Sequence, residues 1–239
     1  MFSYGLGDAG TGLVATQFGF FLFKFFISAG LPVIIAGSLL MLIKIWDAVN
    51  DPLIGWLSDR TKSRWGPRIP WMVAASVPLG FSLAAIWWTP TGSVLTKTIY
   101  YAIISIIVMT AYTSINLPFA ALSTEISEKT AIRTRLNASR FTGSIIAGLT
   151  GLIIAGVVLG SEGSANNEYF LMGKISGCIA VAATLISCWG LAPFAKKARR
   201  PSGKVEAITL QFKRIFRNKK FLKVITLYIL LWCALQLMQ

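Results

Sequence analysis

The sequence predicts an all-α protein embedded in a lipid bilayer, and two observations carry that prediction. Hydrophobic residues make up 55% of the 239 residues and charged residues only 13%, whereas soluble domains average about 45–50% apolar and about 25% charged residues. Apolar stretches long enough for a membrane-spanning helix, about 20 residues each, recur along the chain. Alternation of apolar and polar residues never persists as it does in barrel strands, so helices are expected to span the membrane.

Seven apolar stretches justify this fold class element by element. They comprise residues 5–29, 33–57, 70–90, 97–122, 139–160, 169–192 and 220–239. We therefore predict a six-helix transmembrane bundle over 1–192, a basic linker over 193–219 and the start of a seventh transmembrane helix over 220–239. Because the chain ends within the seventh stretch, we expect it to be the first half of a longer protein, completed by a C-terminal half or by a second copy.

The distribution of charge predicts the orientation of these helices. The formal net charge is +14, from 23 Lys and Arg against 9 Asp and Glu. Most of the basic residues lie in the connections that follow the second, fourth and sixth stretches, and the alternate connections carry few. By the positive-inside rule, the N-terminus and the basic connections face the cytoplasm. We therefore expect a multi-pass protein of the cell (inner) membrane, and the basic excess does not indicate nucleic-acid binding.

Two acidic residues in the second stretch are the main candidates for function. Asp47 and Asp51 lie four residues apart and share one helical face, and Lys44 and Asn50 each lie three residues from Asp47. Ionised side chains at membrane depth are costly and usually mark an ion or substrate path. A small cation would relieve the repulsion between the carboxylates, and a shared proton would do the same. A purely structural alternative pairs Lys44 with Asp47 and makes Asp51 a helix cap before Pro52.

The residues give little support to catalysis. The chain has no His, and its three cysteines lack the spacing of a metal site. Intramembrane aspartyl proteases need carboxylates on two facing helices, whereas Asp47 and Asp51 lie on one, with Asp8 of the first stretch the one group that could oppose them. We therefore expect no enzymatic activity and no resident cofactor, with Na⁺ or H⁺ as a transported ion.

Two adjacent motifs resemble a known transporter family. They are IWDAVNDPLIGW over 45–56 and SDRTKSRWG over 58–66. They are similar to the glycoside–pentoside–hexuronide:cation symporters, the melibiose permease group of the major facilitator superfamily, which includes eukaryotic lysophospholipid symporters. Shorter matches are SYG at 3–5, YT at 112–113, PF at 118–119, RTR at 133–135 and RF at 140–141. The resemblance implies a major facilitator-type six-helix N-terminal bundle that alternates access to a substrate.

The resemblance also implies roles for individual residues. The cation-binding residues would be Asp47, Asp51, Asn50 and Thr113. The substrate cavity would be formed by Asp8, Lys44, Tyr112, Asn116 and Arg140. A cytoplasmic gate of charge pairs would comprise Asp59, Arg60, Arg64 and Arg68. The expected partners are a small-molecule substrate, the coupling cation and the lipid bilayer.

Departures from the family pattern concern the substrate. Sugar-transporting relatives carry a lysine and a carboxylate where this chain has Thr11 and Gly12, with Asp8 one turn earlier as a candidate substitute. An aspartate and an aromatic residue are replaced by Asn116 and Ala120. The predicted function is sodium- or proton-coupled symport of a sugar, glycoside or related small solute. The alternatives are symport of a lysophospholipid-like amphipath and a non-transporting, truncated membrane subunit.

Overall fold

The computed structural model describes residues 2–126, 129–160, 165–197 and 219–237, and these ranges are helical apart from short connections. The helices are α1 (Phe2–Gly7), α2 (Ala9–Ser28), α3 (Val33–Arg60), α4 (Ile69–Ile86), α5 (Val94–Ile126), α6 (Thr130–Leu159), α7 (Ala165–Lys197) and α8 (Lys219–Leu237). No strand occurs in the described ranges, which confirms the all-α class.

Six of the helices, α2 to α7, are long and apolar enough to cross a membrane, as judged over the described residues. They correspond in order to the first six predicted stretches. Several extend further than predicted: α6 begins at Thr130 rather than 139, and α7 continues to Lys197 rather than 192. The hydropathy of a stretch marks only its apolar part, whereas a helix satisfies its own backbone hydrogen bonds and continues into polar sequence.

The first predicted stretch, 5–29, is interrupted rather than continuous. Helix α1 ends at Gly7 and α2 begins at Ala9. Asp8 separates them with φ −96° and ψ −2°, in the sparsely populated bridge region of backbone conformation. The interruption therefore falls at one of the predicted functional residues.

The C-terminal part forms a separate unit. The chain divides into residues 1–200 and 201–239, and α8 is the helix described in the second unit. It coincides with the predicted seventh stretch, 220–239. Most of the predicted linker, residues 198–218 of 193–219, lies outside the described residues, and the three domain boundaries stay predictions.

Small residues bring α2 and α6 together. A Cβ added at Gly12 of α2 would overlap Ser144 of α6, and a Cβ at Gly143 would overlap the backbone of Gly5. Lipid provides no hydrophobic force between helices, so close backbone approach through glycine supplies the packing. This contact sets the α1–α2 junction, and hence Asp8, beside α6.

Helix α3 packs against α5 with one face and leaves the other exposed. The buried apolar positions of α3 include Leu39, Ile43 and Ile54, whereas Met41 and Val49 are exposed. An exposed apolar face suits contact with lipid or with another membrane helix. The buried face carries α3 onto α5, where the predicted cation-binding residues meet.

Candidate cation and substrate site

The carboxylate pair, Asp47 and Asp51, faces Thr113 across the contact between α3 and α5. Thr113 Oγ1 lies 3.1 Å from Asp51 Oδ1 and 3.4 Å from Asp47 Oδ1. A hydroxyl has one proton, so it can donate to only one of the two carboxylates at a time. Two carboxylate oxygens and one hydroxyl oxygen therefore converge at this point, which is a donor set suited to a hard cation.

Asn50 lies on the same helix but turns toward the backbone of α5. It is 1% exposed, and its Nδ2 donates to the carbonyl of Met109 at 3.4 Å. Its Oδ1 has no hydrogen-bond donor within the part of the chain that the structure describes. A buried acceptor without a partner is costly, so this oxygen remains free to accept a proton donor or a cation.

Lys44 does not neutralise the carboxylate pair. Its side chain is exposed, and none of the ion pairs found between described residues joins it to Asp47 or Asp51. Nor does Asp51 cap a helix, since α3 continues beyond Pro52 to Arg60. The structural alternative for these residues is therefore wrong on both points.

Three of the five predicted substrate residues, Asp8, Asn116 and Arg140, form a second group with Thr11, which we call the Arg140 cluster. The exposed Lys44 does not join it. Arg140 Nε lies 3.0 Å from Asp8 Oδ2, and Arg140 Nη2 donates to Asn116 Oδ1 at 2.9 Å. Thr11 Oγ1 donates to Asp8 Oδ1 at 2.9 Å. Charge-assisted bonds of this kind are among the stronger hydrogen bonds in proteins, and here they join the α1–α2 junction, α5 and α6.

Tyr112 connects the two groups. Its hydroxyl accepts a hydrogen bond of 3.4 Å from Asn116 Nδ2, and the phenol lies within electrostatic reach of Asp8, Asp47, Asp51 and Arg140. The next residue along α5 is Thr113, which contacts the carboxylate pair. One turn of α5 therefore contacts both the Arg140 cluster and the carboxylate pair.

An aromatic stack supports the Arg140 cluster, and sequence reasoning assigned it no role. Tyr4 and Phe119 are stacked with ring centroids 4.6 Å apart, and the guanidinium of Arg140 lies 5.7 Å from the Phe119 ring. Both rings are buried. Tyr4 lies in the SYG match and Phe119 in the PF match, and these two matches could have predicted a role for the pair.

Two of the four predicted gate residues meet in the Arg68 cluster, which comprises Ser58, Asp59, Arg68 and Glu125. Arg68 contacts Asp59 at 2.5 Å and Glu125 at 2.9 Å, and Arg68 Nη1 donates to Ser58 Oγ at 2.7 Å. The guanidinium fork can serve several acceptors at once. Sequence reasoning missed Glu125, which lies 57 residues from Arg68 at the end of α5. Glu125 lies just before the basic connection between the fourth and fifth predicted stretches, and this position could have predicted an ion pair.

The other two predicted gate residues do not join that cluster. The guanidinium of Arg60 lies 3.8 Å from the centre of the Trp56 ring, and that of Arg64 lies 5.1 Å from the Trp65 ring. Both arginines are exposed. Arg60 and Arg64 therefore make cation–π contacts rather than the predicted charge pairs.

Comparison with known proteins identifies related sequences along most of the chain. A family model described as MFS/sugar transport protein matches residues 3–239. An uncharacterized symporter of Synechocystis sp. is 37% identical over 83% of this chain and 38% of its own length. A glucuronide carrier protein homolog of Escherichia coli is 29% identical over 64% of this chain and 33% of its own length. A sodium-dependent lysophosphatidylcholine symporter of Xenopus tropicalis is 28% identical over 66% of this chain and 31% of its own length.

The chain is shorter than these relatives. Its matched part spans between 31% and 38% of the length of the three proteins.

Proposed function

The chain belongs to the MFS/sugar transport family, among the proteins similar to glycoside–pentoside–hexuronide:cation symporters, and from this premise we propose that it is part of a cation-coupled symporter. The single observation that carries the proposal is the convergence of Asp47, Asp51 and Thr113 within membrane-spanning helices. Carboxylates at membrane depth are expensive unless they bind something. A transported cation supplies the missing counter-charge.

The coupling cation binds between Asp47 and Asp51, with the Thr113 hydroxyl as a neutral ligand. The unpartnered Asn50 Oδ1 supports a fourth oxygen ligand contributed from the same helix. A sodium ion and a proton both relieve the repulsion between the carboxylates. In either case the two charges of the empty site repel each other, and this repulsion favours cation binding from the side to which the site is open.

The substrate binds beside the Arg140 cluster and completes the coupling. Helix α5 joins the two groups, because Thr113 contacts the carboxylate pair and Asn116 contacts Arg140. Movement of α5 upon cation binding therefore changes the surroundings of Arg140. Asp8 and Asn116 accept hydrogen bonds from Nε and Nη2 of Arg140. Sugar hydroxyls can replace these acceptors or accept from the other guanidinium N–H groups. A glycoside or a related polar solute is the first candidate substrate.

A second candidate substrate is an amphipath that resembles a lysophospholipid. Two observations support it. The aspartate and the aromatic residue that the family resemblance leads us to expect on the fourth span are replaced by Asn116 and Ala120, and one relative is named a sodium-dependent lysophosphatidylcholine symporter. The apolar chain of such a substrate needs no hydroxyl-binding groups. The same cation site serves both candidates.

The Arg68 cluster acts as a gate at the cytoplasmic face. Asp59 is 40% exposed whereas Arg68 is 9% exposed at the side chain, so the ion pair lies at a water boundary. Ion pairs in such places are cheap to break and remake, as a cycle between inward- and outward-open states requires. The gate orientation follows the positive-inside rule, which sets the N-terminus in the cytoplasm.

Alternating access needs a second bundle against which this one can move. We expect a C-terminal half, or a second copy of this chain, to supply it. Each ligand must then bind one of the two states more tightly in order to bias the cycle.

Uptake into membrane vesicles tests the proposal in the full-length protein. The probes are radiolabelled methyl glycosides, glucuronic acid and lysophosphatidylcholine, each under an imposed sodium or proton gradient. Wild-type protein should accumulate at least one probe, and Asp51→Asn should abolish accumulation under the gradient while leaving slow equilibration. An ionophore that collapses the gradient should reproduce the variant. Unchanged accumulation in Asp51→Asn contradicts the coupling role, and no accumulation by wild type favours a non-transporting subunit.

A further inference from the structure

A hydrogen bond beside the carboxylate pair joins α3 to α5. Trp46 Nε1 donates to Thr110 Oγ1 at 3.0 Å, and Thr110 Oγ1 itself donates to the carbonyl of Ile106 at 2.7 Å. An indole N–H can only donate, so the threonine oxygen is the acceptor and its single proton is committed to Ile106. The hydroxyl cannot rotate without breaking one of the two bonds.

This bond lies in register with the cation-binding residues. Trp46 directly precedes Asp47 on α3, and Thr110 lies three residues before Thr113 on α5, on the same helical face. The bond from Asn50 to the Met109 carbonyl ties the same two helices together. The Trp46–Thr110 bond therefore joins α3 to α5 within one helical turn of the contact between the carboxylate pair and Thr113.

A comparison with another threonine shows that this arrangement is more than ordinary helix chemistry. Thr150 of α6 also donates to the carbonyl four residues earlier, at 2.8 Å, and it is half-buried like Thr110. Threonines in membrane helices commonly bond back to their own helix in this way. Thr110 differs because it also accepts a donor from a second span, and that donor is the neighbour of a proposed cation ligand.

We propose that Trp46 and Thr110 are positioning residues that hold α3 and α5 at the spacing at which the oxygens of Asp47, Asp51 and Thr113 converge. Neither side chain contacts the cation, and the proposal rests on the cation-coupled function described above. Without the bond, the two helices separate more readily in the empty protein. Cation binding must then restore the spacing, so the affinity falls because the site is less preorganised.

The expected effect is a loss of cation affinity of about 3- to 15-fold, the range that one hydrogen bond between membrane helices can supply. The test uses full-length protein and two bond-breaking variants, Thr110→Val and Trp46→Phe. Thr110→Ser keeps the hydroxyl, and Thr150→Val is the matched control that loses only a bond within one helix. The measured quantity is the dissociation constant for Na⁺, from titration calorimetry with NaCl.

Proton binding is measured in parallel by potentiometric titration, with Asp51→Asn as the blank. A looser carboxylate pair repels less, so the bond-breaking variants should also bind a proton more weakly. A purely structural role would lower the melting temperature equally with and without cation. A positioning role instead reduces the increase in Tm that the cation produces, because weaker binding stabilises less.

We expect both bond-breaking variants to weaken cation binding and expect Thr110→Ser and Thr150→Val to bind the cation as wild type does. The Trp46→Phe/Thr110→Val double variant should bind no more weakly than the poorer single variant, because both changes remove the same hydrogen bond. Wild-type affinity in both single variants, or losses that add in the double variant, would overturn the positioning role alone. Absence of Na⁺ and proton binding by the wild-type pair would overturn the proposed function and this role together.

Discussion

Arg140 Nε lies 3.0 Å from Asp8 Oδ2, so the interruption of the first membrane-spanning segment is bonded directly to α6. The side chains are 18% and 8% exposed, and Asn116 and Thr11 satisfy further atoms of the pair. Buried ion pairs offset their desolvation only when such additional bonds are made. The pair therefore fixes the geometry around the proposed substrate site.

Removing one member of this ion pair should be much worse than removing both. Asp8→Asn or Arg140→Gln leaves an uncompensated buried charge, which typically costs about 3–5 kcal/mol. The double variant removes both charges and should recover much of that loss. Thermal unfolding in detergent checks the four proteins of this cycle, and losses that simply add would contradict direct coupling between Asp8 and Arg140.

Arg68 should be far more sensitive than its neighbouring arginines. Arg68→Ala removes the counter-charge of Asp59 and of Glu125, whose side chain is 9% exposed. We expect a loss of about 2–4 kcal/mol of stability because charges with little access to water depend on their partners. Arg64→Ala is the matched control, since Arg64 is exposed and lies over the face of Trp65 rather than in the Arg68 cluster. That change should stay within about 0.5 kcal/mol.

Arg68→Lys separates charge from geometry in the same cluster. An ammonium keeps the charge but lacks the planar fork that serves Ser58, Asp59 and Glu125 together. We expect stability between that of wild type and Arg68→Ala. Full stability of the lysine variant, measured by thermal unfolding, would show that the fork is unnecessary.

The contacts of α1 and α2 with α6 should be intolerant of side chains at selected glycines. A Cβ at Gly143 would clash with the backbone of Gly5, which cannot move aside. A Cβ at Gly148 would clash with the hydroxyl of Thr16, while its other near neighbours lie at ordinary contact distances. Gly143→Ala should therefore cost about 1–3 kcal/mol as an overpacked contact, and Gly148→Ala should cost less. Gly156→Ala is the control on the same helix, because no atom lies within 4 Å of its added Cβ. Equal unfolding temperatures for Gly143→Ala and Gly156→Ala would contradict the close approach.

Local patterns in the sequence predicted the features that depend on neighbouring residues. The spacing of Asp47 and Asp51 predicted their common helical face, and the first six of the seven apolar stretches predicted the six spans α2 to α7. The contacts of Arg68 with Glu125 and of Trp46 with Thr110 join residues 57 and 64 apart. They depend on how helices pack, which no local pattern contains. The interruption at Asp8 was hidden because apolar residues continue on both sides of it.

Asp47 and Asp51 are the proposed ligands of the coupling cation, and calorimetric titration of the full-length protein with NaCl and with acid tests this role most directly. Wild-type protein should bind one Na⁺ or take up a proton at this pair, and Asp51→Asn should lose this binding. Asp59→Asn, which changes another aspartate of α3 outside the pair, should retain it. Undiminished cation binding by both Asp51→Asn and Asp47→Asn would contradict cation binding at this pair.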